Sequence, residues 1–289
     1  MTFDTIGEAD LRGVMYDSDV KNIAMRLFKF KQAVTEDSTS VFNNYFYREV
    51  EGVLSDPSGN ASSKIPRGAA YPRVSASWEQ INTVIGKYGC EEFVFMEDIR
   101  FNNIDVMTRT MAKIAERVAK SVDTEIWNGL TENRSPTNIQ TVTIAANYEW
   151  TTASAAIIDD LEQAEQLIAE YDHPTDNLMV FINPAQKRYI VKFLYDKGAQ
   201  APQTSERMIN GSGVIGKLGN KTFIVSNEVT ASYALMVVPK LCGTWKVGLP
   251  LTTWTKNDAG KGDLVRAAEI GTFQLHAPKA CVLITNTGA

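Results

Sequence analysis

The chain has 289 residues, 44% hydrophobic and 22% charged, which suffices for one large domain or two modest ones with a core. A net charge of -5 excludes bulk electrostatic wrapping of nucleic acid, which needs clustered Lys and Arg. No apolar run approaches the roughly 18 residues of a membrane span, and the start MTFDTIGEADL lacks the basic and apolar regions of a secretory signal.

Three cysteines, Cys90, Cys242 and Cys281, are widely spaced in apolar contexts. An odd count without CxxC spacing gives neither a disulfide framework nor a zinc pattern, so buried free thiols are expected. The N-x-S/T sequons at Asn60, Asn133, Asn210 and Asn220 are read as chance matches without a secretory route. The expectation is a reduced protein made in the cytoplasm.

In chain order, residues 1–40 are polar, and 19–33 reads as a short amphipathic helix that must lie along something else. Residues 41–54 (VFNNYFYREVEGVL) read as a strand and 55–60 as a loop. From Lys64 to Arg73 the chain carries three basic residues, no acid, two prolines and a glycine, which disfavours a central strand. Strand character returns from Val74 to Met96, with breaks expected at Gly86 and Gly89. Two strands flanking about 20 irregular residues describe a long β-hairpin arm, and an isolated arm of that kind gains order from partner contacts.

A helix follows, expected from about Asp98 to Asn128 with Gly129 just past its end. Ile104, Met107, Met111, Ile114, Val118, Val122 and Ile126 recur at spacings of three and four and mark one apolar face. About 30 residues would give a rod of roughly 45 Å, a spine. After a loop comes the short strand TVTIAA, then a helix over 153–171 and a buried strand LMVFI at 178–182. Asn183 caps the next helix, with Pro184 at its first position, and that helix is expected to run to Lys197. Residues 199–216 read as a loop. KTFIVS, YALMVVP, TWKVG and LTTWT read as separate strands, and ACVLIT as the terminal one.

Gly211 to Lys217 (GSGVIGK) satisfies part of a phosphate-binding loop, but Leu218 stands where a Ser or Thr must hold Mg²⁺. His173 and His276 lie far apart with no spaced carboxylate partners, and the adjacent pairs Glu91–Glu92 and Asp159–Asp160 point different ways. There is no GxSxG elbow and no HExxH. No catalytic residue, metal site or cofactor is expected. The basic segment Lys64, Arg67, Arg73 offers only Tyr71 as an interleaved aromatic, so it suits an acidic patch on a neighbouring subunit better than a nucleic acid. A plain solvated loop is the alternative.

RGAAYPRVSASW at 67–78, KYGCEEFVFMEDI at 87–99 and VAKSVDTEIWNGL at 118–130 together resemble the major capsid proteins of tailed bacteriophages with the HK97 fold. VFINPAQKRYIVKFL at 180–194 and HAPKACVLIT at 276–285 are similar to that family's axial-domain strand and helix and its closing strand. The resemblance implies an α+β HK97-like fold with an N-terminal arm at 1–41 and an extended β-hairpin loop at 42–95. It implies a peripheral domain with the spine helix at 96–148 and 267–289, and an axial domain at 149–266. Lys64, Arg67, Tyr71, Arg73 and Trp78 are the expected assembly contacts. The implied function is a structural, non-enzymatic shell subunit that forms hexamers and pentamers of an icosahedral virion capsid around double-stranded DNA. Separate scaffolding, portal and decoration proteins are the possible partners, and no membrane is involved. Some family members crosslink an extended-loop lysine to an asparagine. Lys64 lies in that element, but no partner asparagine or catalytic glutamate matches, so no crosslink is expected. The short leader after Met1 suggests a separate scaffolding protein or none. An encapsulin-type compartment and a soluble NTP-binding enzyme using Lys217 are the alternatives.

Overall fold

The apolar stripe read from the sequence is the buried side of a long helix in the computed structural model, which describes residues 28–49, 65–71, 78–101, 106–196 and 214–288. Two compact units divide the chain. One comprises residues 1–44, 83–127 and 245–273, and the other 45–82, 128–244 and 274–289.

In the first unit, strands β1 (Thr35–Ser38), β4 (Gly86–Phe95), β10 (Gly243–Asp258) and β11 (Gly262–Leu275) form a sheet in the order β1-β10-β11-β4. β4 runs antiparallel to β11 from Gly86↔Gly271 to Phe95↔Gly262. Gly89 does not break β4 as expected. It sits mid-strand because a Cβ there would lie 2.7 Å from both the Ala267 carbonyl oxygen and the Ala268 Cβ. The segments read as two strands, TWKVG and LTTWT, are one strand, β10. Thr39 N donates to the Val247 carbonyl at 2.9 Å, just beyond the end of β1 at Ser38.

The expected single spine helix is assigned as α1 (Met96–Phe101) and α2 (Val106–Leu130), with 102–105 outside the described residues. Met111, Ile114, Val118, Val122 and Ile126 of α2 are buried, and its 25 residues span about 37 Å. It packs along β4, where the Cys90 thiol donates to the Ile114 carbonyl at 3.7 Å and Tyr88 bonds Glu125. The buried Asp123 accepts from the Lys29 and Phe30 amides at 2.9 and 3.3 Å, and Phe30 packs on Trp127 with ring centroids 5.7 Å apart. This ties the 3₁₀ turn Phe30–Gln32 to the spine. Of the helix expected over 19–33, residues 19–27 lie outside the described residues.

Gly129 does not terminate the spine, which continues through Leu130. The left-handed stop falls on Glu132, Asn133 and Arg134, at φ of 46°, 55° and 64°. Such a run of non-glycine residues is costly, and the Glu132 carboxylate offsets it by capping the returning backbone.

The second unit is built on a six-stranded sheet in the order β5-β12-β9-β6-β8-β7. Its strands are β5 (Gln140–Thr143), β6 (Leu178–Ile182), β7 (Val214–Leu218), β8 (Lys221–Val225), β9 (Tyr233–Val237) and β12 (Cys281–Thr285). Val180, Phe181 and Ile182 of β6 are fully buried between β9 and β8. Helix α3 (Ile157–Ala169) covers β12 and β5 with Ile157, Leu161, Ala164 and Ile168. Helix α4 (Pro184–Asp196) starts as expected, with the Asn183 Oδ1 accepting from Ala185 N at 3.1 Å and Gln186 Oε1 accepting from Asn183 N at 2.8 Å.

Candidate assembly surfaces

The arm expected at the start of the chain's strand-rich region is a two-stranded sheet of β2 (Asn43–Glu49) and β3 (Trp78–Val84). The two-residue alternation of β2 puts Phe46 inward, where it meets His276 edge-on at 5.1 Å, and turns Tyr45 and Tyr47 outward at 64% and 59% exposure. On β3, Trp78 and Val84 are exposed as well. The described residues at the loop, 65–71, hold a turn in which Ala69 N donates to the Pro66 carbonyl at 3.0 Å and Gly68 takes φ 84°. Arg67 and Tyr71 are exposed there, Tyr71 at 84%.

Of the expected contacts, Arg67, Tyr71 and Trp78 are therefore solvent-facing, while Lys64 and Arg73 lie outside the described residues. Tyr45 and Tyr47 were not among them. The signal for both was present in NNYFYRE, where every second residue shares a face.

The base of the hairpin is held by charge. Arg48 pairs with Glu79 on β3 and, at 3.4 Å, with Glu132 beyond the spine. Glu132 also accepts from the amides of Thr137 at 2.6 Å and Asn138 at 2.8 Å, and from the Asn138 side chain at 2.5 Å. Burial alone would raise its carboxyl, but the Asn138, Thr137 and Ile139 hydrogen bonds outweigh that and hold it below the ordinary carboxylate value. The carboxylate is thus a fixed anchor for both the turn and the arm.

The first unit presents a second set of exposed apolar side chains: Phe95 at the end of β4, Ile99 and Phe101 on α1, and Trp254 on β10. The chain there is joined by Met96 N donating to the Lys261 carbonyl at 2.9 Å. Exposed large apolar residues in such number make this a candidate interaction surface.

The phosphate-loop reading fails on geometry. Lys217 lies within β7, which pairs antiparallel with β8 through a turn at Gly219 and Asn220, so no helix N-terminus follows it. His173 is in a loop, and Asp160 accepts from the Trp150 indole at 2.9 Å, a structural rather than an acid/base role.

A family model described as phage capsid protein matches residues 78–272, from β3 into β11. The chain belongs to the phage capsid protein family. Solved structures give the fold of this capsid protein independently. A virus-like particle from Pyrococcus furiosus aligns over 94% of this chain and 99% of its own at TM-score 0.62 and 13% identity. A chain of Mycobacterium phage Che8 aligns over 91% and 92% at 0.66 and 15%. The mature capsid of bacteriophage PhiM1 aligns over 89% and 86% at 0.62 and 13%. No curated protein matches the chain in sequence. The fold is the HK97-like capsid fold that the sequence resembles, and the capsid protein is a structural shell subunit.

Proposed function

We propose that copies of this capsid protein close an icosahedral shell, as hexamers and pentamers, around double-stranded DNA. The observation that carries this reading is the hairpin: Tyr45, Tyr47 and Trp78 form an outward aromatic set on an arm with little core of its own. A neighbouring copy covers that face, and Arg67 and Tyr71 at the loop, with Lys64 and Arg73 close to them in the sequence, add polar and aromatic contacts to it. Head-to-tail contacts give rings where their rotation closes, and hexamers and pentamers are such rings. Enclosed DNA is held without sequence readout, in keeping with the net charge of -5.

Deleting residues 58–72 and examining the product by size-exclusion chromatography and electron microscopy tests the reading. A folded subunit that no longer forms shells is expected, and normal shells would remove the arm from the assembly mechanism. Nuclease-protected nucleic acid in particles from the producing cell supports the genome-enclosing form, and protein cargo in its place would favour the encapsulin-type compartment.

A further inference from the structure

Two of the three cysteines stand together in the core of the second unit. Cys242 and Cys281 are both at 0% exposure, and their side chains are hydrogen-bonded to one another. The backbone explains the juxtaposition. Cys281 opens β12 opposite Val237 of β9, and Val238 N donates to the Ala280 carbonyl at 3.0 Å. The chain then turns through Pro239, Lys240 and Leu241, and the Cys242 carbonyl accepts from both His276 N and Ala277 N at 3.1 Å. Thus the turn leaving β9 folds back on the segment that enters β12, and both thiols are fixed from the backbone side.

We propose that Cys242 and Cys281 are an intramolecular disulfide site, reduced when the chain is made and closed by a small oxidant such as a peroxide. The step balances. One thiolate sulfur displaces hydroxide from the peroxide to give a sulfenic acid, and the second thiol displaces water from that sulfur to form the S–S bond. Two thiols and one hydrogen peroxide yield one disulfide and two waters. Burial and the hydrogen bond that the Cys281 thiol donates to Cys242 push it well above its ordinary value, so the native pair reacts slowly. Access comes by opening of the turn beside it, where Lys240 is exposed at φ 62° and Leu241 is 40% exposed. The bond would staple the closing strand β12 to the β9–β10 connection across 39 positions of sequence. For a shell that leaves a reducing cell, the change adds stability where no repair is possible; this timing rests on the shell reading, whereas the bond itself does not.

The test uses the full-length protein, both as soluble subunit and as particles, incubated with hydrogen peroxide, alkylated, and digested with trypsin without reduction. The expected product joins the peptide Leu241–Lys246 to Ala280–Ala289, with Cys90 still alkylated or singly oxidised. A rise in melting temperature of about 5–10 °C accompanies it. The C90S variant should form the same bond, and C242S and C281S should not. Should those two variants fail to fold, the oxidised and reduced wild type alone decide. Three alkylatable thiols after oxidation, sulfonic acids at Cys242 and Cys281, or linkage through Cys90 would each overturn the proposal. Linkage in the soluble subunit without shell formation would leave the disulfide standing and count against the shell reading only.

Discussion

Replacing Glu132 by alanine removes the acceptor that holds the left-handed turn after the spine. Three donors lie within 2.8 Å of its carboxylate: Thr137 N, Asn138 N and the Asn138 side chain. The Thr137 amide is exposed and returns to water, so only the two Asn138 bonds count fully. At about 1.5 kcal/mol for each bond to a charged acceptor, E132A should cost about 3 kcal/mol. That corresponds to a fall of about 5 °C in melting temperature for a chain of 289 residues. E132G also loses the carboxylate but relaxes φ 46°, so it should be milder by about 1 kcal/mol. The pH dependence follows from the lowered carboxyl. Its stabilisation is complete above the ordinary value of 4.5 and is lost as pH falls through the lower folded value. Urea melts of wild type and E132A from neutral to acid pH should therefore converge as the pH drops below 4.5. Equal stability at neutral pH, or a gap that persists unchanged into acid, would show that the Glu132 carboxylate does not hold the turn.

Further outcomes follow from other buried contacts. G89V should destabilise by about 2–3 kcal/mol and lower soluble yield, because its side chain meets the Ala267 carbonyl; an unchanged melt would mean that β4 and β11 separate without cost. K221M removes a buried ammonium, 2% exposed, that donates to Glu162 at 2.7 Å and to Glu165, and should cost about 1–3 kcal/mol in urea melts. Burial alone would lower the Lys221 value, but those hydrogen bonds outweigh it and raise it, so the stabilisation is whole below 10.5 and fades only at higher pH. E269A strands the buried Trp245 indole, 2.8 Å away, and the Lys31 ammonium, 2.6 Å away, and should lower the melting point by more than either other substitution.

What the sequence makes legible is periodic and local. The spine's apolar face follows from spacings of three and four, and the start of α4 from Asn183 and Pro184, because each rests on neighbours in the chain. Pairing partners are less legible. Gly89 reads as a break until Ala267 and Ala268 are seen lying against it, and TWKVG and LTTWT read as two strands although β10 runs through both. Glu132 looks like an ordinary polar residue after a helix, since its acceptor role depends on a turn of three left-handed residues. Glu269 sits in an apolar strand, and its partner Lys31 is 238 positions away. Long-range ionic contacts of this kind leave no local signal.

In the proposed shell the exposed aromatic face of the β2–β3 hairpin joins one copy to the next. Electron microscopy of the purified wild type beside the Y45S/Y47S/W78S variant tests it most directly, with circular dichroism and melting to show that both are folded. Closed shells are expected for the wild type and only folded subunits or small oligomers for the variant. Closed shells of normal diameter and yield from the variant would contradict it.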